Sequence, residues 1–208
     1  MVYRPNPLQF WLYRLIKRIF DICFSLVVIA LVSVTVLIPI IFAIKLSSRG
    51  PVLFKQRRTG YRGREFTCLK FRTMKVNSQA DTVQATKDDP RKTRVGDFLR
   101  RTSLDELPQF LNVLWGDMSV VGPRPHMVSQ TNEYKKLIDK YMVRHIIKPG
   151  ITGLAQVSGY RGQTEELWQM QKRVEYDVTY IENWSLWLDV KIIIRTIVNA
   201  ILGEKNAF

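Results

Sequence analysis

Cysteine and histidine are nearly missing from the chain: Cys23, Cys68, His126 and His145 are all that its 208 residues contain. Two cysteines at no metal-ligand spacing, one of them in an apolar run, exclude a disulfide framework and fit a reducing compartment. Two histidines are too few for a histidine-built metal site, so each reads as a surface or packing residue. Acidic residues are also scarce. Asp and Glu number 18 against 32 Lys and Arg, a formal net charge of +14. Such an excess selects anionic partners, whether nucleic acid, phosphorylated small molecules or an acidic membrane face, with a generic solvated basic surface as the plain alternative. No internal repeat or low-complexity tract is present, and a hydrophobic share of 46% excludes wholesale disorder. The length suffices for one domain core and an appended element.

What the chain does have is a long uncharged run. Residues 22–44 (ICFSLVVIALVSVTVLIPIIFAI) carry no charge over 23 positions. A straight helix of that length, at ~1.5 Å per residue, covers a ~30 Å hydrocarbon layer. No small-residue cleavage site follows, so a signal peptide is excluded. Pro39 breaks the helix. Arg14, Lys17 and Arg18 precede the run, and Lys45, Arg49, Lys55, Arg57 and Arg58 follow it. A spanning helix biases its basic residues to one side. Basic flanks at both ends fit a re-entrant helix that returns to the face it entered from, with a single span as the alternative. Ser33 and Thr35 are the hydroxyls available to satisfy backbone freed by Pro39.

Residues 51–60 (PVLFKQRRTG) and 64–74 (REFTCLKFRTM) read as a β-hairpin closed by GYRG. Residues 77–92 are polar and aperiodic, a loop, and RVGDFLRR is a short helix. Ser103-Leu104-Asp105-Glu106 matches a capping box, with Pro108 as an alternative first helical residue, so Asp105 and Glu106 open a helix running to about Trp115. Further on, Thr164 is a candidate N-cap with Glu165 and Glu166 in the first turn of a helix. A last amphipathic helix follows, tipped by Trp184 and Trp187 and ended by Gly203. It suits either an interfacial position or the domain core.

Adjacent carboxylates repel, and neither Asp105-Glu106 nor the rigid GPRP loop (residues 122–125) is needed to build a core. The plain reading of the pair is helix capping. Lys70, Arg72, Arg100, Arg101 and Arg124 nevertheless lie near in sequence, and positive charge at a helix start keeps an aspartate ionised and attracts a diphosphate. An ionised carboxylate beside a phosphoryl group can act as nucleophile, and its neighbour can hold Mg²⁺.

KRIFD at 17–21, GPVLFKQRRTG at 50–60, KFRTM at 70–74, RRTSLDELPQFLNVLWGDMSVVGPRP at 100–125 and KPGITGLAQVSG at 148–159 resemble the bacterial sugar transferase family, the monotopic phosphoglycosyl transferases. The resemblance implies Asp105 as nucleophile and Glu106 as the Mg²⁺-assisting carboxylate, both lying at the metal. It implies phosphate or substrate contacts for Lys70, Arg72, Arg100 and Arg124, and for Asp177 and Asp189 in the C-terminal part. It also implies transfer of a sugar phosphate from a UDP-sugar, with UDP-glucose or UDP-galactose preferred, to undecaprenyl phosphate at the cytoplasmic face of the bacterial inner membrane. Many members break the membrane helix at a Ser-Pro pair. Here Val34 follows Ser33, so the bend is expected to shift to Pro39. The chain starts just before KRIFD, as a minimal member or the catalytic part of a longer protein would.

The expected architecture is α+β and mainly α. It has a re-entrant segment at 1–48 and a catalytic domain at 49–208, with a small hairpin, a catalytic helix and interfacial amphipathic helices. Expected partners are a UDP-sugar, undecaprenyl phosphate and membrane lipids, with homodimerisation open. A membrane-tethered nucleic-acid-binding module is the rival, but aromatic platforms and zinc spacings are missing and no nucleic-acid partner is expected. A phosphohydrolase using the same aspartyl intermediate is a third option.

Overall fold

The computed structural model describes residues 6–76, 86, 89–162, 164 and 166–202, the side chains of Ser33 and Val34 excepted. Helix α1 (Trp11–Val32) is built inside out. Lys17, Asp21 and Ser25 are buried, whereas Leu12, Leu15, Ile16, Ile19 and Leu26 are exposed. Residues four apart share a helix face, so the polar stripe turns into the protein and the apolar one turns out. The inward stripe has partners. Lys17 Nζ meets Asp189 Oδ2 at 2.7 Å, and Asp21 Oδ1 accepts from Ser119 Oγ and the Val120 amide, each at 3.0 Å.

A π-helical turn, Ser33–Leu37, leads into α2 (Ile38–Ser47). The axes of Trp11–Val32 and Thr35–Ser47 differ by 57°. The break expected at Pro39 therefore lies one turn earlier, and Pro39 sits inside the first turn of α2. Proline acts backwards: its ring and missing N–H disturb the carbonyl four residues before, that of Thr35, which lies in the π turn. Thr35 Oγ1 donates to the Leu31 carbonyl at 3.3 Å, so one hydroxyl does bond backbone at the bend. Among the described residues no single helix is long and apolar enough to cross a membrane; the bent pair meets that test only jointly.

Strands β1 (Leu53–Thr59) and β2 (Glu65–Phe71) form the expected antiparallel hairpin, with Leu53 opposite Phe71 and Thr59 opposite Glu65. Helix α3 (Arg94–Arg101) follows, its N-cap Thr93 accepting from the Gly96 amide. Most of the loop expected at 77–92 lies outside the described residues. The expected helix from Asp105 to Trp115 is corrected: Leu104–Glu106 is a separate 3-10 turn, and α4 covers only Gln109–Trp115. Ser103 adopts φ +58 and makes no side-chain cap bond, so the capping box does not form.

Strand β3 (Ser119–Val121) pairs in parallel with β4 (Gly150–Thr152), a second small sheet with no signal in the sequence pattern. Between them lies α5 (Val128–Leu137), and after them α6 (Leu154–Val157), α7 (Leu167–Glu182) and α8 (Leu186–Leu202). The N-cap of α7 is Glu166, not Thr164, and its side chain accepts from the helix backbone. Glu165 and Gly203 lie outside the described residues.

The core gathers Val113, Met118, Val120, Val121, Tyr180, Trp184 and Ile192. A second cluster, Ile40, Ile44, Phe71 and Leu99, ties α2 to β2 and α3. The fold is α+β and mainly helical. Helix α8 repeats the inside-out pattern: Asp189 and Ile192 are buried, while Trp187, Ile194, Ile197, Ile201 and Leu202 face out. On α2, Ile38, Ile41, Phe42 and Leu46 are exposed as well, so α1, α2 and α8 all turn apolar side chains outward. His126 and His145 are both buried, so of the two expected roles for them, packing holds and surface does not.

Candidate active site

Three local features place Asp105 and Glu106. Asn112 on α4, fully buried, mimics a strand partner: its Oδ1 accepts from the Leu69 amide at 2.9 Å and its Nδ2 donates to the Thr67 carbonyl at 2.8 Å. That clamps α4 along β2 and brings the preceding turn against Lys70. The left-handed Ser103 turns the chain sharply just before the pair, and Arg161 Nη2 donates to its Oγ at 2.7 Å. In a 3-10 turn successive side chains point about a third of a turn apart, so the two adjacent carboxylates diverge and meet different groups.

Glu106 is locked. Its Oε1 accepts from Lys70 Nζ at 2.7 Å and Arg124 Nη2 at 2.5 Å, and its Oε2 accepts from Arg124 Nη1 at 3.2 Å. Asp105 meets Lys70 only at 3.8 Å, beyond hydrogen-bond range. Both carboxylates are 6% exposed. Burial pushes the Glu106 carboxyl up, but Arg124 and Lys70 outweigh it and hold the group well below the usual carboxylate range. At Asp105 burial prevails. It raises that carboxyl above its ordinary value; Lys70 opposes the rise, and the Glu106 charge adds to it. The cations expected to favour an ionised Asp105 thus pair more closely with Glu106. Arg100 stands behind them, its Nε bonded to Thr73 Oγ1 at 2.9 Å, within electrostatic reach of Asp105.

The structure therefore brings together Lys70, Arg100, Asp105, Glu106 and Arg124. It places three other expected site residues elsewhere. Arg72 lies past the end of β2 and turns to the C-terminus of α2, where its guanidinium donates to the carbonyls of Ser48 at 2.7 Å and Arg49 at 3.2 Å. This seals orphan carbonyls of a helix end and explains Gly50: a Cβ there would lie 2.2 Å from Arg72 Nη1. Asp177 is sealed against Arg144 at 2.7 Å. Asp189 binds Lys17, Tyr180 Oη at 2.7 Å and Trp184 Nε1 at 3.2 Å, linking α8 to α1. Arg144 and Arg161 lie outside every motif quoted above, and Asn112, although inside one, carries no signal of its role as a clamp.

Among the described residues no group of three or more His, Cys, Asp or Glu converges as a metal cage. Asp105 and Glu106 are the carboxylates at the site; both Glu106 oxygens are held by Lys70 and Arg124, which leaves Asp105 the better placed to take Mg²⁺, an ion that one or two carboxylates hold when waters and substrate phosphates complete the shell.

The bacterial sugar transferase model matches residues 12–203. The chain belongs to this family. Among its relatives, the UDP-glucose:undecaprenyl-phosphate glucose-1-phosphate transferase of Escherichia coli (strain K12) is 53% identical over 92% of this chain and 41% of its own length. The protein of the same name from Xanthomonas campestris pv. campestris is 55% identical over 88% of this chain and 38% of its own length. That of Caulobacter vibrioides is 46% identical over 99% of this chain and 77% of its own length. The chain thus spans about two fifths of the first two relatives and most of the third. The clustered carboxylates and cations fall inside the matched region.

Proposed function

We propose that the chain transfers glucose 1-phosphate from UDP-glucose to undecaprenyl phosphate, releasing UMP, by way of a covalent intermediate on Asp105. The observation that carries the reading is the division of labour in the carboxylate pair: Glu106 is neutralised by close contacts to Lys70 and Arg124, while buried Asp105 has only the looser ion pair to Lys70 at 3.8 Å. The names of the relatives supply the substrates.

In the first step an Asp105 carboxylate oxygen attacks the phosphorus next to the sugar. The bond from that phosphorus to the bridging oxygen breaks, and UMP leaves with the oxygen. An acyl phosphate joins Asp105 to the sugar phosphate. In the second step a phosphate oxygen of undecaprenyl phosphate attacks the same phosphorus, the acyl bond breaks, and Asp105 is regenerated as a carboxylate. The burial that disfavours the Asp105 charge also strips it of water, which leaves the ion a better nucleophile once formed. Lys70 stands between both carboxylates and steadies whichever carries charge, while Arg100 and Arg124 contribute positive potential for the diphosphate. Asp105 would hold Mg²⁺, with Glu106 able to join only by giving up a bond to Lys70 or Arg124, and the ion when bound neutralises phosphate charge.

A two-step route suits substrates that arrive from different phases. The outward apolar faces of α1, α2 and α8 support seating in a lipid surface. The 57° bend between segments with basic residues at both ends supports a re-entrant helix, with the site on the cytoplasmic face of the inner membrane.

The test uses the purified protein in detergent. Asp105→Asn preserves shape and removes the attacking charge, so UMP release falls by orders of magnitude while folding persists. With UDP-glucose and no lipid, the peptide containing Asp105 gains the mass of one hexose phosphate. Near-normal UMP release by Asp105→Asn removes that residue from the chemistry. Labelling elsewhere, or UMP appearing only with lipid, points to direct transfer, and free sugar phosphate identifies a hydrolase.

A further inference from the structure

Behind the GPRP loop lies a set of buried contacts that neither chemical step uses. Pro123 and Pro125 have no N–H, so the loop has few donors with which to hold its own shape. It is held instead through four successive carbonyls, each taken by a different donor. Gly150 N donates to Pro123 O at 2.9 Å, and Thr59 N to His126 O at 3.1 Å. The two carbonyls between them go to arginine side chains. Arg144 Nη2 donates to Arg124 O, and Arg58 Nη1 to Pro125 O, each at 2.8 Å.

Arg144 is 2% exposed, and its whole fork is committed. Nε and Nη2 meet Asp177 Oδ2 at 2.9 and 2.7 Å, and Nη1 meets His126 Nδ1 at 2.6 Å. Burial, and after it the Arg144 charge, holds His126 well below its ordinary value, so the ring is neutral and its Nδ1 accepts. The guanidinium therefore grips the loop on both sides of Pro125. Asp177, on α7 and equally buried, keeps it in that orientation.

We propose that Arg144, oriented by Asp177, is a positioning residue: it fixes the backbone of Arg124 so that the Arg124 guanidinium meets Glu106 with two bonds. The proposal rests on the reading of Asp105 and Glu106 as the reacting pair. It gives Asp177 a task that reaches substrate only through Arg144 and Arg124. Lysine at position 144 would keep the charge, but a point ammonium cannot serve Asp177, the Arg124 carbonyl and His126 together.

The experiment compares Arg144→Lys, Asp177→Asn, Arg124→Lys and the Arg124→Lys/Arg144→Lys double variant by UMP release, per folded molecule, in detergent with UDP-glucose and undecaprenyl phosphate. For Arg144→Lys, kcat falls by about tenfold or more while KM for UDP-glucose stays within about threefold, as for other groups that orient a reacting residue. In the Arg124→Lys background the same substitution costs less than about threefold further, because residues acting through one another are not additive. Asp177→Asn shows the same pattern and carries the test alone if Arg144→Lys does not fold. Normal turnover of the folded variants, a loss confined to KM, or a loss that multiplies in full in the double variant overturns the proposal. Asp105→Asn is run alongside. If it still releases UMP, the underlying reading fails; if it is inert while Arg144→Lys is uncoupled from Arg124, only the positioning role fails.

Discussion

Replacing Lys17 with Met leaves the Asp189 carboxylate buried without its counter-ion. Lys17 is 7% exposed and Asp189 fully buried, and their contact is 2.7 Å. Removing one partner of such a pair costs about 3–5 kcal/mol, because the remaining charge is left desolvated. Tyr180 Oη and Trp184 Nε1 still donate to Asp189, which keeps the cost toward the lower bound. The Lys17 ammonium also lies 6.0 Å from the ring centroids of Tyr180 and of Trp184, a contribution lost with it. A loss of about 3 kcal/mol lowers Tm by roughly 6–12 °C for a chain of this size. Asp189→Asn alone strands the Lys17 charge and costs a similar amount. The Lys17→Met/Asp189→Asn pair, with neither charge of the ion pair left and the Asn oxygen still accepting, returns to within about 1 kcal/mol of wild type. Thermal unfolding in detergent reads this through tryptophan fluorescence, since the Trp184 indole sits in the network. Single variants within about 1 kcal/mol of wild type, or additive losses in the double variant, would refute the reasoning.

Glu106→Gln keeps the shape but gives up the charge that Arg124 and Lys70 bind, so UMP release drops severely, and added Mg²⁺ does not restore it. His145, held by burial at a pKa of about 4, stays neutral in the fold while the unfolded chain takes a proton below about 6.5. The unfolded state then binds more protons, so stability falls as pH drops from about 6.5 to about 4, by up to about 3 kcal/mol. His145→Gln removes that share of the acid slope in a denaturant titration. For topology, single cysteines near position 5 and, near position 60, at the exposed Arg64, in a background without Cys23 and Cys68, are both protected from an impermeant thiol reagent in intact cells and labelled once the membrane is opened. Labelling at position 5 from outside refutes the re-entrant arrangement. Pro39→Ala, by straightening the run, exposes the N-terminus outside in part of the population.

Local chemistry was legible in the sequence because it depends on neighbours along the chain. The two strand-like runs and the GYRG turn between them predicted the hairpin, RVGDFLRR a short helix, and the uncharged run with its proline a bent apolar segment. The Asp105-Glu106 pair and GPRP stood out because no core needs them. The capping box misled, since Ser103 was free to adopt a left-handed turn and leave Glu106 to Arg124 and Lys70. Pro39 marked a bend but not its place, because the disturbed carbonyl lies a turn earlier.

Only the tertiary structure decided where charged side chains ended. Lys70 and Arg72 sit two residues apart, yet one reaches Glu106 and the other the end of α2, because β2 stops between them. Asp177 and Asp189 looked alike in the sequence, two acids that the resemblance assigned to substrate or phosphate. Their roles come from Arg144, 33 residues away, and Lys17, 172 residues away. Nothing along the chain shows that α1 turns its polar stripe inward. The same spacing would serve a helix with that stripe in water, and the choice follows from which partners the packed body offers: Asp189 for Lys17, Ser119 and Val120 for Asp21. Sequence sets which groups can ionise or bond, while burial and pairing between distant segments decide which of them face substrate.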